Sequence, residues 1–228
     1  MTQIADHVGI HKSTVHRLLA TLEAKRFVQR DPETGMYRLG IRLLQMAYLT
    51  LEQNDLRRIA TPFLRYLGEQ YLETIHLAVL DDTDVVFMHI IDSPQRVKLA
   101  AALGQRLPAF ATASGKAILA YSSEEKVRQI LQRGMPQYTG TTPVSSEMFF
   151  NDLRYVREHG FAISEAEYEE GINAVAAPIF DPDGQPVASI AIAGPAYRLS
   201  KERMLEIGPV AVTTAQEISK ELKLATMP

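Results

Sequence analysis

Along the first forty residues the apolar positions fall in two helical runs separated by a breaker. Ile4, Ala5 and Val8 form the first run. Gly9-Ile10-His11 interrupts it, and Val15, Leu18, Leu19 and Leu22 form one face of the second. Small Ala5 lets two helices approach, Gly9 permits a tight turn, and β-branched Val15 fits the crossing. Two strand-like pieces, 27–30 and 37–40, follow around the turn cluster Asp31-Pro32-Glu33-Thr34-Gly35. Helix, turn, helix and hairpin in that order predict a winged helix-turn-helix over residues 1–40.

Beyond it, Leu43, Leu44, Ala47 and Leu51 recur at helical spacing and predict a linker helix over 41–54, ending near Gln53 before a break at Asn54-Asp55. Leu56, Ile59, Phe63, Leu64 and Leu67 describe another amphipathic helix, with Pro62 kinking it or shifting its start. The period then changes to two. Segments 74–80 and 84–91 read as strands joined by Asp81-Asp82-Thr83, and 97–103 reads as a third. Helices are expected at 114–121, 124–132 and 145–159. Strands return at 161–163, 173–180 and 186–193, the last two joined by Asp181-Pro182-Asp183-Gly184. Ser200 caps a final helix running to about 224. The expected fold class is α+β: a small winged module, then a domain over 55–226 built on an antiparallel sheet flanked by helices.

Charge sharpens this division. The net charge of −3 argues at first against a DNA-binding protein. Residues 1–40, however, carry six Lys/Arg against four acids, leaving the remainder five charges acidic. A small basic module on an acidic body suits a protein whose DNA contact is confined to one end. The absence of Cys rules out disulfides, thiolate catalysis and Cys-based zinc sites, and fits a cytoplasmic protein. No uncharged apolar run approaches the roughly 20 residues of a membrane span, so no membrane partner is expected.

The outward side of the second helix carries Lys12, Ser13, Thr14, His16 and Arg17, donors suited to phosphates and major-groove base edges. Arg30 and Arg38 flank the wing turn and are placed to reach the DNA backbone or minor groove. No constellation supports catalysis. The acidic run Glu165, Glu167, Glu169 and Glu170 lacks a partnered nucleophile and reads as a solvated loop. His76 and His89 lie on adjacent strands without a third ligand at recognisable spacing, and read as hydrogen-bonded strand histidines rather than a metal pair. Ser123-Glu124-Glu125-Lys126 simply opens a helix. Neither cofactor nor metal is expected.

Several motifs in a fixed order carry a family resemblance. They are Thr2-Gln3-Ile4-Ala5 with the run from Lys12 to Glu23, Tyr37-Arg38-Leu39-Gly40, and Leu107-Pro108 with Ala113-Ser114-Gly115-Lys116-Ala117. Tyr168-Glu169-Glu170-Gly171, Ala176-Ala177-Pro178-Ile179-Phe180-Asp181 and Gly194-Pro195-Ala196-Tyr197-Arg198-Leu199 complete the set. On these the chain resembles IclR-family bacterial transcriptional regulators over nearly its whole length. The resemblance implies a dimer or tetramer on double-stranded operator DNA, and a GAF-like second domain holding a small effector, usually an organic acid. It also implies a helix ahead of Thr2. The chain begins at Met1, so Ile4, Val15, Leu19 and Leu22 are expected to lose apolar cover, at roughly 1.5–3 kcal/mol per exposed side chain. This start is expected to be displaced, or the form to bind DNA poorly; the alternative role is a GAF-like sensor without DNA binding.

The resemblance places the effector beside Ala113 and Ser114, where backbone N–H groups enter a helix and can hold an anion. It adds Ser164, Ala174, Ala191 and Ala193, with Leu99, Leu107 and Ile172 as apolar walls. Relatives that bind small keto acids have polar side chains where this chain has Ala174, Ala191 and Ala193. The expected effector is therefore bulkier or more apolar than glyoxylate or pyruvate, such as an aromatic acid.

Overall fold

The computed structural model describes residues 2–52 and 55–225, which fall into two compact units, Met1–Asn54 and Asp55–Pro228. The first contains α1 (Thr2–Val8), α2 (Lys12–Ala24), the hairpin β1 (Val28–Arg30) and β2 (Tyr37–Leu39), and α3 (Ile41–Glu52). Gly9 turns the chain between α1 and α2 at φ +69°, a conformation that a side chain disfavours. His11 caps α2, its ring nitrogen accepting from the Ser13 N–H at 3.4 Å. The core of this unit is small: Ala5, Val15 and Leu19, with Val28 and Tyr37 of the hairpin packed against them. Val15 and Leu19 thus find cover from the hairpin, contrary to expectation, whereas Ile4, Leu18 and Leu22 stay exposed. The exposure of Ile4 and Leu22 agrees with the expected loss of cover; Leu18, on the same helical face as buried Val15 and Leu19, is exposed as well, so the buried stripe is narrower than that face. The helix read as a separate linker groups with this unit: Arg42 N–H donates to Arg26 O, and Leu43 N–H to Gly40 O. Its expected end at Gln53 and the break at Asn54 lie outside the described residues.

The second unit begins with α4 (Asp55–Tyr71), which continues through Pro62 rather than starting there. It continues with β3 (Thr74–Asp81), β4 (Asp84–Ile91), β5 (Arg106–Pro108), a 3₁₀ turn (Ala109–Ala111) and α5 (Ala113–Leu119). There follow α6 (Glu124–Arg133), α7 (Ser146–His159), β6 (Ala162–Glu165), β7 (Ile172–Phe180), β8 (Pro186–Pro195) and α8 (Lys201–Ala225). The six strands form one antiparallel sheet in the order β5-β4-β3-β8-β7-β6. The strand expected over 97–103 is absent. The β4 edge is occupied instead from Gly104 onward: Gly104 N–H donates to Phe87 O, and β5 pairs with Asp84–Val86. Residues 97–103 pair with no strand.

Strand alternation divides the core. On one face Ile75 and Leu77 of β3, Val175, Ala177 and Ile179 of β7, and Ile190 and Ile192 of β8 pack under α4 and α8. The other face is built of small residues. One register row runs Thr74–Ala193–Ala174–Ser164 across β3, β8, β7 and β6, and the next runs His76–Ala191–Ala176–Ala162. These let α5 settle so closely that every one of its residues is buried. Gly115 marks the tightest approach: a Cβ there would stand 2.1 Å from Ala109 O and 2.4 Å from Ala109 Cα. Because backbone rather than a flexible side chain opposes it, Gly115→Ala should lower stability by about 1–3 kcal/mol or more. Urea unfolding of the variant checks this, and an unchanged midpoint would contradict the packing described.

Candidate ligand cavity and nucleic-acid interface

The small-residue row opens a cavity of about 60 Å³, several times the roughly 10–15 Å³ that one water requires. Ser164, Ala174 and Ala193 line it from the sheet, and Ala113 and Ser114 from the start of α5. Leu99, Leu107 and Ile172 contribute apolar wall. Ala191, expected beside them, is fully buried one row deeper, in the row of Ala176 and His76, and is not part of the lining. Sequence reasoning missed His76, Phe87, Gln105, Ala111, Thr112, Tyr168 and Glu169, which also line the cavity. The signal for His76 was available: period two puts it on the same face of β3 as Thr74, whose partner on β8 is Ala193.

His76 Nε2 and Ser114 Oγ share a hydrogen bond of 3.1 Å, and Phe87 packs against the imidazole with ring centroids 4.2 Å apart. Nδ1 is buried without a partner. Burial lowers the His76 pKa from 6.5 to about 4, so the ring is neutral at physiological pH. His89 pairs with Leu77 on the neighbouring strand and belongs to the opposite face, so the two histidines share no ion. It also leaves one ring nitrogen, Nε2, without a partner, so neither strand histidine is fully hydrogen-bonded as expected. No group of three or more metal-ligating side chains occurs among the described residues.

The helix start that was expected to hold an anion is partly occupied by its own cap. Thr112 Oγ1 accepts from the Gly115 N–H at 3.2 Å, and Thr112 O from the Lys116 N–H at 3.0 Å. One turn on, Lys116 is buried to 2% exposure. Its Nζ donates to both carboxylate oxygens of Glu167, at 2.6 and 2.8 Å, and to Asp152 Oδ2 at 3.1 Å. Burial pushes the Glu167 carboxyl above the usual carboxylate range, against the pull of Lys116. The acidic run is therefore not simply a solvated loop: Glu167 is buried, Glu165 pairs with Lys201, and Glu169 borders the cavity. Thr139 and Thr142 bind Glu167 O, and Thr141 binds Glu165 O and Ala166 O, fixing the segment that carries Tyr168 and Glu169.

In the first unit Lys12, Ser13, His16 and Arg17 are exposed on α2, and Thr14 is half-buried. The Ser13 hydroxyl lies 2.8 Å from His11 Nδ1, so part of its hydrogen-bonding capacity is used locally. Arg30 pairs with Tyr37 and Arg38 with Gln29, which puts the two arginines on opposite faces of the hairpin. Arg30 Nε also donates to Gly35 O within the wing turn.

A winged helix-turn-helix with an exposed donor-bearing helix, joined in one chain to a domain with a mostly apolar cavity, defines a transcriptional regulator. The comparisons give its family. The model for the IclR helix-turn-helix domain matches residues 1–32, and that for the bacterial transcriptional regulator IclR C-terminal domain matches residues 48–220. The chain is 34% identical to the transcriptional repressor IclR of Escherichia coli K12, over 96% of this chain and 81% of that protein. It is also 34% identical to the HTH-type transcriptional regulator KdgR of the same strain, over 97% and 85%. The crystal structure of the Thermotoga maritima IclR matches with a TM-score of 0.76 at 30% identity, covering 97% of this chain and 90% of that one. The chain belongs to the IclR family of transcriptional regulators.

The neutral imidazole ties stability to pH. The folded pKa of about 4 lies below the unfolded 6.5, so between these values the unfolded chain binds the extra proton. Stability contributed above pH 6.5 is lost as pH falls toward 4, by about 3 kcal/mol at the limit. Urea midpoints of wild type and His76→Phe at pH 7 and pH 4.5 should diverge, wild type losing more on acidification. Equal losses would contradict the neutral buried ring.

Proposed function

We propose that this regulator binds a pseudo-palindromic operator in the cytoplasm as a homodimer or pair of dimers, and that a small organic acid in the cavity modulates that binding. The observation that carries the effector reading is the cavity itself. Phe87, Leu99, Leu107, Ile172 and the alanines 111, 113, 174 and 193 give it an apolar body, with Ser114, Ser164 and His76 supplying a few polar groups. Such a lining favours a ligand with an apolar, aromatic body over glyoxylate or pyruvate. Exposed Ile41, Leu44, Met46 and Leu49 give α3 an apolar surface of the kind that self-association covers. The effector acts by binding one arrangement of the DNA modules more tightly than another.

On DNA, Ser13, Thr14 and Arg17 are assigned to base edges or nearby phosphates, Lys12 to phosphate and His16 to either. Arg30 and Arg38, on opposite faces of the wing, are assigned to the phosphate backbone or the minor groove. Arg17→Ala should cost about 1–3 kcal/mol on the operator and relax specificity, whereas Lys12→Ala should weaken operator and random DNA alike and lower the salt slope by about one. Gel shifts on the promoter upstream of the gene, across a salt series, read both. Equal losses on operator and random DNA for Arg17→Ala would remove the base-reading role. Titration calorimetry with glyoxylate, pyruvate and benzoate tests the effector class. Tight glyoxylate binding with no aromatic binding would overturn it.

A further inference from the structure

At the far end of α2 from its base-facing donors, Lys25, Arg26 and Arg42 line one groove within the first unit. The rest of the lining is apolar apart from Gln45, and no acid borders it. Lys25 and Arg26 are exposed, and their side chains make no hydrogen bond or ion pair among the described residues. Arg42 Nη1 donates to Gln45 Oε1 at 3.2 Å. Glu23, the nearest acid in sequence, accepts from the Arg30 N–H at 3.3 Å.

Two of these cations stand where local physics disfavours them. α2 ends in a Schellman motif: Arg26 N–H donates to Glu23 O and Phe27 N–H to Leu22 O, both at 2.9 Å. Arg26 therefore takes the left-handed position, φ +61°, for which glycine is the fitting residue. Arg42 is in the first turn of α3, where the helix macrodipole opposes positive charge and no acid compensates. The backbone holds the two together, with Arg26 O accepting from the Arg42 N–H at 3.2 Å. Gly40 is pressed so close that a Cβ there would stand 2.1 Å from the same oxygen. Strain retained at an unpaired cation points to an anion outside the chain.

The polyanion that this module meets is DNA. α2 spans 13 residues, or about 20 Å at 1.5 Å per residue, against a major groove about 12 Å wide. A helix seated by its first turns carries its end past the groove to the phosphates on the rim, as the recognition helix of a homeodomain does. We propose that Lys25, Arg26 and Arg42 form a phosphate clamp, which holds the DNA backbone at the end of α2 opposite its base-facing donors. The clamp rests on the reading of α2 as the DNA-facing helix. It adds three contacts that carry affinity and salt dependence but no sequence preference.

The test is fluorescence anisotropy of the full chain on a labelled duplex from the promoter upstream of its gene, and on a scrambled duplex, across a salt series. Arg26→Gly, Arg42→Gln and Lys25→Gln should each lower the salt slope by about one on both duplexes, and the triple variant by about three. Each single loss corresponds to roughly fivefold weaker binding at about 0.15 M salt. Arg26→Gly should also keep or raise the urea midpoint, since glycine fits the left-handed position; a purely structural role for Arg26 would lower it. An unchanged slope in the natively folded triple variant, with Lys12→Ala still lowering it, would overturn the clamp and leave the DNA-facing reading of α2 standing. The groove would then be open to an acidic protein segment instead. Losses confined to the promoter duplex would also overturn the clamp, because a phosphate contact is blind to sequence. Unchanged binding in the clamp variants and in Lys12→Ala and Arg17→Ala alike would overturn both readings, as would a wild type that binds neither duplex. Arg26→Gly, which relieves strain, decides the matter even where the triple variant fails to fold.

Discussion

The second domain depends on the distance at which α5 lies from the sheet. Ala174, Ala176, Ala191 and Ala193 give it a shallow bed, and Gly115 lets its backbone pass against Ala109 without an intervening side chain. That approach buries all seven residues of the helix and brings Ser114 within hydrogen-bonding distance of His76. The cavity is the space left where the small-residue row continues beyond the start of the helix. Packing at the density of protein interiors leaves little freedom for this arrangement to shift.

Burying the whole helix means burying Lys116, whose ammonium needs partners at that depth. Glu167 and Asp152 supply them. Such an ion pair contributes little net stability compared with an apolar replacement, because desolvation offsets much of the attraction. What it contributes here is position. It ties α5 to α7 and to the segment preceding Tyr168 and Glu169, so that two walls of the cavity are fixed to one charged group. Arg198 plays a comparable part nearby, donating to both Glu73 carboxylate oxygens and to Val97 O, on the segment that leads to Leu99.

The sequence made the helices and most strands legible because their period is local. Gly9 between two amphipathic runs and the Pro/Gly turn of the wing need no tertiary information to interpret. The strand expected over 97–103 is replaced by a shorter one, β5, because the apolar pattern does not say where along the chain pairing with β4 begins, which is at Gly104. Leu18 is exposed although it shares a face with buried Val15 and Leu19: a helical stripe says which residues share a face, but the partner decides how wide a stripe is covered. At the cavity, residues named by resemblance came together apart from Ala191, whose depth depends on where α5 rests. Glu167 resembled a solvated acid because its partner lies 51 positions away in the chain. His76 was visible as a strand histidine, but its neighbours Ser114 and Phe87 come from other elements of the fold.

The sheet also acts as a partition. Because adjacent residues on a strand face opposite sides, Ala174 and Ala193 touch the cavity side while Val175 and Ile192 belong to the core under α4 and α8. Substitutions at the alanine positions can therefore change the size and polarity of the cavity without entering the larger core under α4 and α8. The shape of the cavity and the stability of the domain are separable along a single register row.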